Sequence, residues 1–247
     1  MVSRPAAGGG IRVEVGPERF ARWCDGFAER HGGLVGGVFL AADDASGDGE
    51  AVELAAADGA VATCSVPFPP LGGMGGASGS GMATATASAT ATAAELIERL
   101  TTHALAERTV GVLLVRRGGY AVGVFEGARL VASKVGSRHV QGRTKAGGWS
   151  QQRFARRREG QAREAYGAAA DTAARILLPH TARLDALVVG GDAGGIGVLR
   201  TDTRLKPLWP KERAPFLNVG DPRMAELQKA PDGFRAVRIR LVDPSDP

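Results

Sequence analysis

Residues 67–93, PFPPLGGMGGASGSGMATATASATATA, give a fold almost nothing to bury. Gly, Ala, Ser and Thr dominate, and no large apolar side chains recur at a strand or helix period. Such a stretch is expected to be a flexible linker or inserted loop, and it divides the chain of 247 residues unequally. On one side, residues 1–10 read as a disordered tail and 11–66 as a small N-terminal α+β module. On the other, 94–247 reads as one larger domain. Hydrophobic residues make up 44% of the chain, enough for a core on each side, but aromatics only 5%. Those cores are therefore expected to be packed with small side chains.

Periodicity fills in both sides. Ile11–Val15 alternates like a strand, and Pro17–Arg30 sets Phe20, Trp23, Cys24 and Phe27 at helical spacing behind a first-turn proline. Strands are expected at 35–41 and 51–66, around a polar turn at 43–50. After the linker, Leu96, Ile97, Leu100 and Leu105 mark a helix over 94–106. Three β-runs follow closely, at 110–116, 120–126 and 128–135, joined by glycine turns. A long helix is expected over 153–178, stopped by Pro179. Strands at 184–189, 214–219 and 234–242 and a short helix at 222–229 complete the chain. A three-stranded meander followed by alternating helix and strand indicates an α+β domain with a mixed sheet covered by helices. That order resembles ribonuclease-H-like folds.

Charge is concentrated in residues 137–163, SRHVQGRTKAGGWSQQRFARRREGQAR. Eight basic side chains stand there against Glu159, a net +7, while the whole chain carries +5, so everything else sums to −2. A footprint of this density suits a polyanion, nucleic acid by default. Arginines at a helix start also oppose the positive helix N-terminus and call for an outside anion. Cys24 and Cys64 lie far apart, as do His31, His103, His139 and His180. No metal site follows from that spacing, and two reduced thiols are expected. No cofactor is implied. The longest apolar runs are too short to span a bilayer, and a cytoplasmic protein without a membrane partner is expected. Gly190–Gly197 lacks the spacing of a nucleotide-binding loop and reads as a turn for close backbone packing. Ser150 lacks the glycine context of a hydrolase elbow. Residues 209–213, Trp-Pro-Lys-Glu-Arg, read as a surface loop.

Within the basic segment, Gly147-Gly148-Trp149-Ser150-Gln151-Gln152-Arg153-Phe154-Ala155-Arg156 is similar to the Gly-Gly-Gln loop and following helix of the eukaryotic class-one release-factor middle domain. It resembles more closely the bacterial form of the Vms-like release factors, peptidyl-tRNA hydrolases of ribosome quality control. The resemblance covers roughly residues 94–242 and rests on about a dozen positions. It implies a ribonuclease-H-like, release-factor middle-domain fold presenting a catalytic loop at 137–152. It also implies ester hydrolysis that frees a nascent chain from tRNA, with the large ribosomal subunit and peptidyl-tRNA as partners. Laid without gaps on the release-factor pattern, the catalytic glutamine position falls on Trp149. In the Vms-like pattern serine precedes the glutamine, which selects Gln151, with Gln152 as runner-up. The zinc-finger and repeat extensions of the eukaryotic members have no counterpart, and a monomer is expected.

The residues suit that chemistry in their own right. Ester hydrolysis needs a placed water and donors where charge develops. A glutamine amide both donates and accepts without being a strong base. Gly147 and Gly148 permit positive φ and close approach to RNA, and Ser150 is a candidate for fixing the loop. Arg138, Arg143, Lys145, Arg153, Arg156, Arg157 and Arg158 are candidate phosphate contacts, and Trp149 is a candidate base platform. Two rival readings stand beside this one. One is a non-catalytic ribosomal-RNA-binding module. The other is a metal-dependent nuclease using Glu126, Asp185 and Asp192 near strand ends.

Overall fold

A computed structural model describes residues 3–5, 9–42, 49–72, 91–116, 119–137 and 150–244, with backbone alone for 3–4 and 150–163. In chain order the elements begin with β1 (Ser3–Pro5), β2 (Ile11–Val15), α1 (Pro17–Arg30), β3 (Leu34–Leu40), β4 (Ala51–Ala56) and β5 (Val61–Ser65). Then come α2 (Ala93–Leu105), β6 (Thr109–Arg116), β7 (Gly119–Glu126), β8 (Arg129–Ser137) and α3 (Ser150–Leu177). The remainder is β9 (Ala186–Gly191), α4 (Ala193–Arg200), α5 (Met224–Gln228), α6 (Ala230–Phe234) and β10 (Val237–Val242), with short 3-10 turns between. They form two compact units, one of Met1–Ala106 with Arg235–Pro247 and one of Glu107–Phe234.

The first unit is an antiparallel sheet in the order β1-β2-β10-β5-β4-β3. Its core joins Val13, Val52, Leu54, Cys64 and Ile239 from the strands to Phe20, Cys24 and Phe27 of α1 and Leu96 and Leu100 of α2. The expected helical face of α1 is the buried one, and Trp23 stacks on Phe27 at 5.6 Å. Each of these large apolar side chains contributes about 1.5–3 kcal/mol on burial. The helix α2 opens with a capping box: Thr92 accepts from the Glu95 N–H, and the Glu95 carboxylate accepts from the Thr92 N–H at 2.7 Å. Burial pushes the Cys24 thiol up to about 12 and raises Cys64 well above its ordinary value. Both are free thiols with little nucleophilic character.

Several boundaries differ from the sequence reading. Residues 1–10, expected as a disordered tail, include β1 paired with β2, and 214–219, expected as a strand, meets β9 only through an isolated bridge of Leu217 to Gly190. Three further differences follow. First, α2 and β10, expected in the larger domain of 94–247, pack in the first unit instead. Val237 and Ile239 alternate toward a core, and that local pattern fits either sheet; register against Val15, Val13 and Cys64 decides it. Second, the expected linker 67–93 is packed at its start. Leu71 is buried in the first core, and its N–H donates to the Glu50 carboxylate at 2.6 Å. Residues 73–90 lie outside the described residues. Third, the strand expected over 51–66 is a hairpin, β4–β5, turned at Gly59 (φ 92°), where Asp58 accepts from the Ala60 N–H.

The second unit has the sheet order β8-β7-β6-β9. The expected meander β6–β7–β8 is antiparallel, and β9 returns parallel to β6 after the long crossover through α3. Leu113, Val115, Val122 and Val124 share a core with Ala169, Ala170, Ala173 and Leu177 of α3. The opposite face meets Leu227 of α5 next to Gly123 and Phe234 of α6 against Phe125. Burial on both faces explains why β6 and β7 read as continuous apolar runs rather than alternating ones. The class is α+β, as expected, with the meander followed by a helix and a parallel fourth strand.

Candidate functional site

The basic segment joins two elements of the second unit. Strand β8 ends at Ser137, paired with Gly119 at the start of β7, and α3 begins at Ser150. Arg138, Arg143, Lys145, Gly147, Gly148 and Trp149 lie outside the described residues. Ser150, Gln151 and Gln152 form the opening of α3, and Arg153, Arg156, Arg157 and Arg158 occupy its next two turns. Helix α3 carries no acidic residue in its first turn. The partial positive charge of the helix N-terminus therefore adds to the arginines, and an external anion is the natural counterion.

Packing fixes the root of this segment. Tyr120 of β7 pairs in register with Gly136 of β8, one residue before the strand ends. A Cβ on Gly136 would fall 2.8 Å from Tyr120 Cε1 and closer still to Cζ and Oη, so the ring lies directly on that glycine. On α3, the buried Thr172 donates its hydroxyl proton to the Tyr120 hydroxyl at 3.2 Å. Strand exit and helix are thus tied through one phenol ring.

Farther along, Tyr166 sits over Gly195 of α4, whose Cβ would lie 3.0 Å from Tyr166 Cε1 and 3.3 Å from Val115 near the end of β6. At the other end, Leu177 reaches the Gly111 position near the start of β6. The helix therefore runs antiparallel to β6. The sixteen residues N-terminal to Tyr166 make about 24 Å of helix. Ser150 and Gln151 are the first two residues of this helix.

The carboxylates of the nuclease reading do not converge. Glu126, opposite Thr109, forms an ion pair with Arg129. Asp185 accepts from the Thr109 N–H at 2.7 Å. Asp192 caps α4 through Gly194, and its own N–H donates to Val115 at 2.7 Å. Thr109 and Val115 are six residues apart on one strand, about 20 Å. Gly190 and Gly191 serve close packing, but the turn expected over 190–197 is replaced from Ala193 by helix α4. A Cβ on Gly190 would meet Leu217 Cβ at 2.7 Å, and Gly191 adopts φ 96°. Sequence reasoning missed Tyr120, Gly136 and Thr172, because a Tyr, a Gly and a Thr spread over three elements carry no shared local pattern.

A family model described as acVLRF1, the Actinobacteria/chloroflexi VLRF1 release factor, matches residues 108–240, which include the basic segment. No curated protein matches the chain. Among solved structures it aligns with an archaeal translation termination factor, aRF1, at TM-score 0.38 and 16% identity over 69% of this chain and 46% of that one. An archaeal protein aligns at 0.37 and 15% over 72% and 48%. The Vms1 mitochondrial localization core aligns at 0.36 and 11% over 73% and 71%. The chain spans about half the length of the first two. Among the described residues, no helix is long and apolar enough to cross a membrane.

Proposed function

Because the chain belongs to the Actinobacteria/chloroflexi VLRF1 release factor family, we propose that it is a cytoplasmic peptidyl-tRNA hydrolase acting on the large ribosomal subunit in ribosome rescue and quality control. The observation that carries this reading is the family match over 108–240, which encloses the Gly147-Gly148-Trp149-Ser150-Gln151 segment and the helix it leads into. In the reaction, water attacks the carbonyl carbon of the ester between peptide and tRNA, and the ribose hydroxyl leaves. Gln151 orients that water and a loop N–H stabilises the developing oxyanion, neither acting as a strong base. Gly147 and Gly148 give the backbone its close approach, and Ser150 sets the turn into α3. Arg138, Arg143, Lys145, Arg153, Arg156, Arg157 and Arg158 hold phosphates, and Trp149 stacks on a base. The loop brings no strong base of its own, so hydrolysis depends on ribosomal RNA for the rest of the pocket. No metal or organic cofactor takes part, and the protein acts as a monomer.

The test is release of a labelled peptide from peptidyl-tRNA on purified large subunits. Gln151→Ala is expected to lower the rate roughly 100-fold, the cost of losing one positioned transition-state donor, while subunit binding persists. Unchanged release in that variant, with loss in Gln152→Ala, would move the catalytic role by one residue. Subunit binding without release by the wild type would leave the non-catalytic RNA-binding module.

A further inference from the structure

Both helices of the first unit, α1 and α2, pack on one face of its sheet, against Val13, Leu54, Cys64 and Ile239. Side chains alternate along a strand, so the residues between these point to the opposite face. There stand Arg12 and Glu14 of β2, Arg238 and Arg240 of β10, Thr63 of β5 and Glu53 of β4. Arg12 and Glu14 are exposed, and the other four partly so.

Register sets these positions in rows. Arg4 lies opposite Arg12, and Arg12 opposite Arg240, so three adjacent strands carry arginine at one level. The row continues through Thr63 and Glu53 to Val38. Directly opposed side chains have Cβ atoms about 4.5–5.5 Å apart, and like charges so placed repel. The Arg240 Nε–H donates to Gly9 O at 3.3 Å. In a neighbouring row Arg238 faces Glu14.

The distribution of charge points to a partner. The first unit holds nine arginines and fourteen acidic residues, so it is acidic as a whole. Yet four of those arginines, and only Glu14 and Glu53 of the acids, lie at strand positions of this face. An anion laid along the row relieves the repulsion within it, and a planar guanidinium pairs with phosphate through two hydrogen bonds at once. No aromatic residue stands in the row, so it suits the phosphate backbone of a nucleic acid rather than its bases.

We infer that this face of the first sheet binds the phosphate backbone of RNA through Arg12, Arg240 and Arg238. The inference rests on the reading of this chain as a release factor that works on the ribosome. It gives the first unit, which that reading leaves without a role, a sequence-independent hold on ribosomal RNA.

The test measures binding of the full chain to protein-free large-subunit ribosomal RNA over a range of salt. Arg12→Gln combined with Arg240→Gln is expected to lower affinity about fivefold or more at low salt. The slope of log affinity against log salt should fall by about 1.5, the share of two phosphate contacts. Arg12→Lys combined with Arg240→Lys keeps both charges and should keep most of the slope. Glu14→Gln removes a negative charge from the face and is expected to strengthen binding about twofold. The thermal transition of the first unit, followed in each variant, shows whether the sheet persists. A slope unchanged in the Gln pair overturns the inference, as does an equal loss in the Lys pair. Weaker binding to whole subunits with undiminished binding to bare RNA also overturns it, and assigns the face to an acidic protein segment. Peptide release at saturating protein separates the two readings. Release with a slope indifferent to Arg12 and Arg240 defeats only this surface, and a slope that depends on them without release defeats only the hydrolase.

Discussion

At the scale of single residues, the second unit depends on three side chains without reactive chemistry. The Tyr120 ring occupies the space a Cβ would take on Gly136 and receives the Thr172 hydroxyl proton at 3.2 Å. Gly136→Ala must displace that ring, and overpacking of this kind costs about 1–3 kcal/mol. Urea unfolding is expected to show that loss. Release activity should fall further than stability alone explains, because the displaced strand end is the root of the 137–152 segment; a Gly136→Ala protein with wild-type stability and release would disprove the arrangement. Thr172→Val keeps the volume and removes one hydrogen bond, with an expected loss of about 0.5–1.5 kcal/mol. The Gly147–Gln152 motif stands out in the sequence because its residues are adjacent. Tyr120, Gly136 and Thr172 do not, since register and packing bring them together across 52 residues of chain.

At the scale of elements, buried alanines anchor the second half of α3 to the sheet, and the arginines belong to its first half. If those arginines meet phosphates, log affinity for ribosomal RNA should fall linearly with log salt. Each of Arg153→Ala, Arg156→Ala and Arg157→Ala should then reduce the slope by roughly 0.7–0.9; a slope that none of them alters would remove the phosphate role. The cap of α2 offers a separate test in the first unit. Thr92→Ala is expected to cost about 1 kcal/mol. The Glu95 carboxyl is held below its ordinary range first by the Thr92 N–H and then by the Thr92 hydroxyl. A folded pKa below the unfolded value stabilises above the unfolded value, about pH 4.3, and that stabilisation is lost as pH falls through the lowered folded value. The stability gap between the wild type and Glu95→Gln should therefore be open at pH 6 and close in acid; a gap independent of pH would argue against the box.

At the scale of the whole molecule, the chain leaves its first unit at Ala106 and re-enters it at Arg235. The final strand lies between β2 and β5, so the last residues complete a sheet begun by the first. Truncation after Phe234 removes a central strand and strips Val13 and Cys64 of their neighbour Ile239. Thermal unfolding of that variant should lose the transition of the first unit and retain the transition of Glu107–Phe234. Retention of both transitions would show that β10 is dispensable. The family match to residues 108–240 follows the second unit closely, running into β10 by a few residues.

The sequence by itself determined most of the elements, the meander and the crossover helix, because each is a local periodicity of apolar residues. It also displayed the basic segment 137–163 and its adjacent glutamines, because charge and motif sit in consecutive positions. Only the tertiary structure decided which sheet receives β10 and α2, since the alternation of Val237 and Ile239 satisfies any half-buried edge until a partner register is chosen. It alone brought Tyr120 onto Gly136, and Arg4, Arg12 and Arg240 into one row. Such sites arise from distance in space between residues far apart in the chain, and hydrophobic periodicity carries no information about that distance.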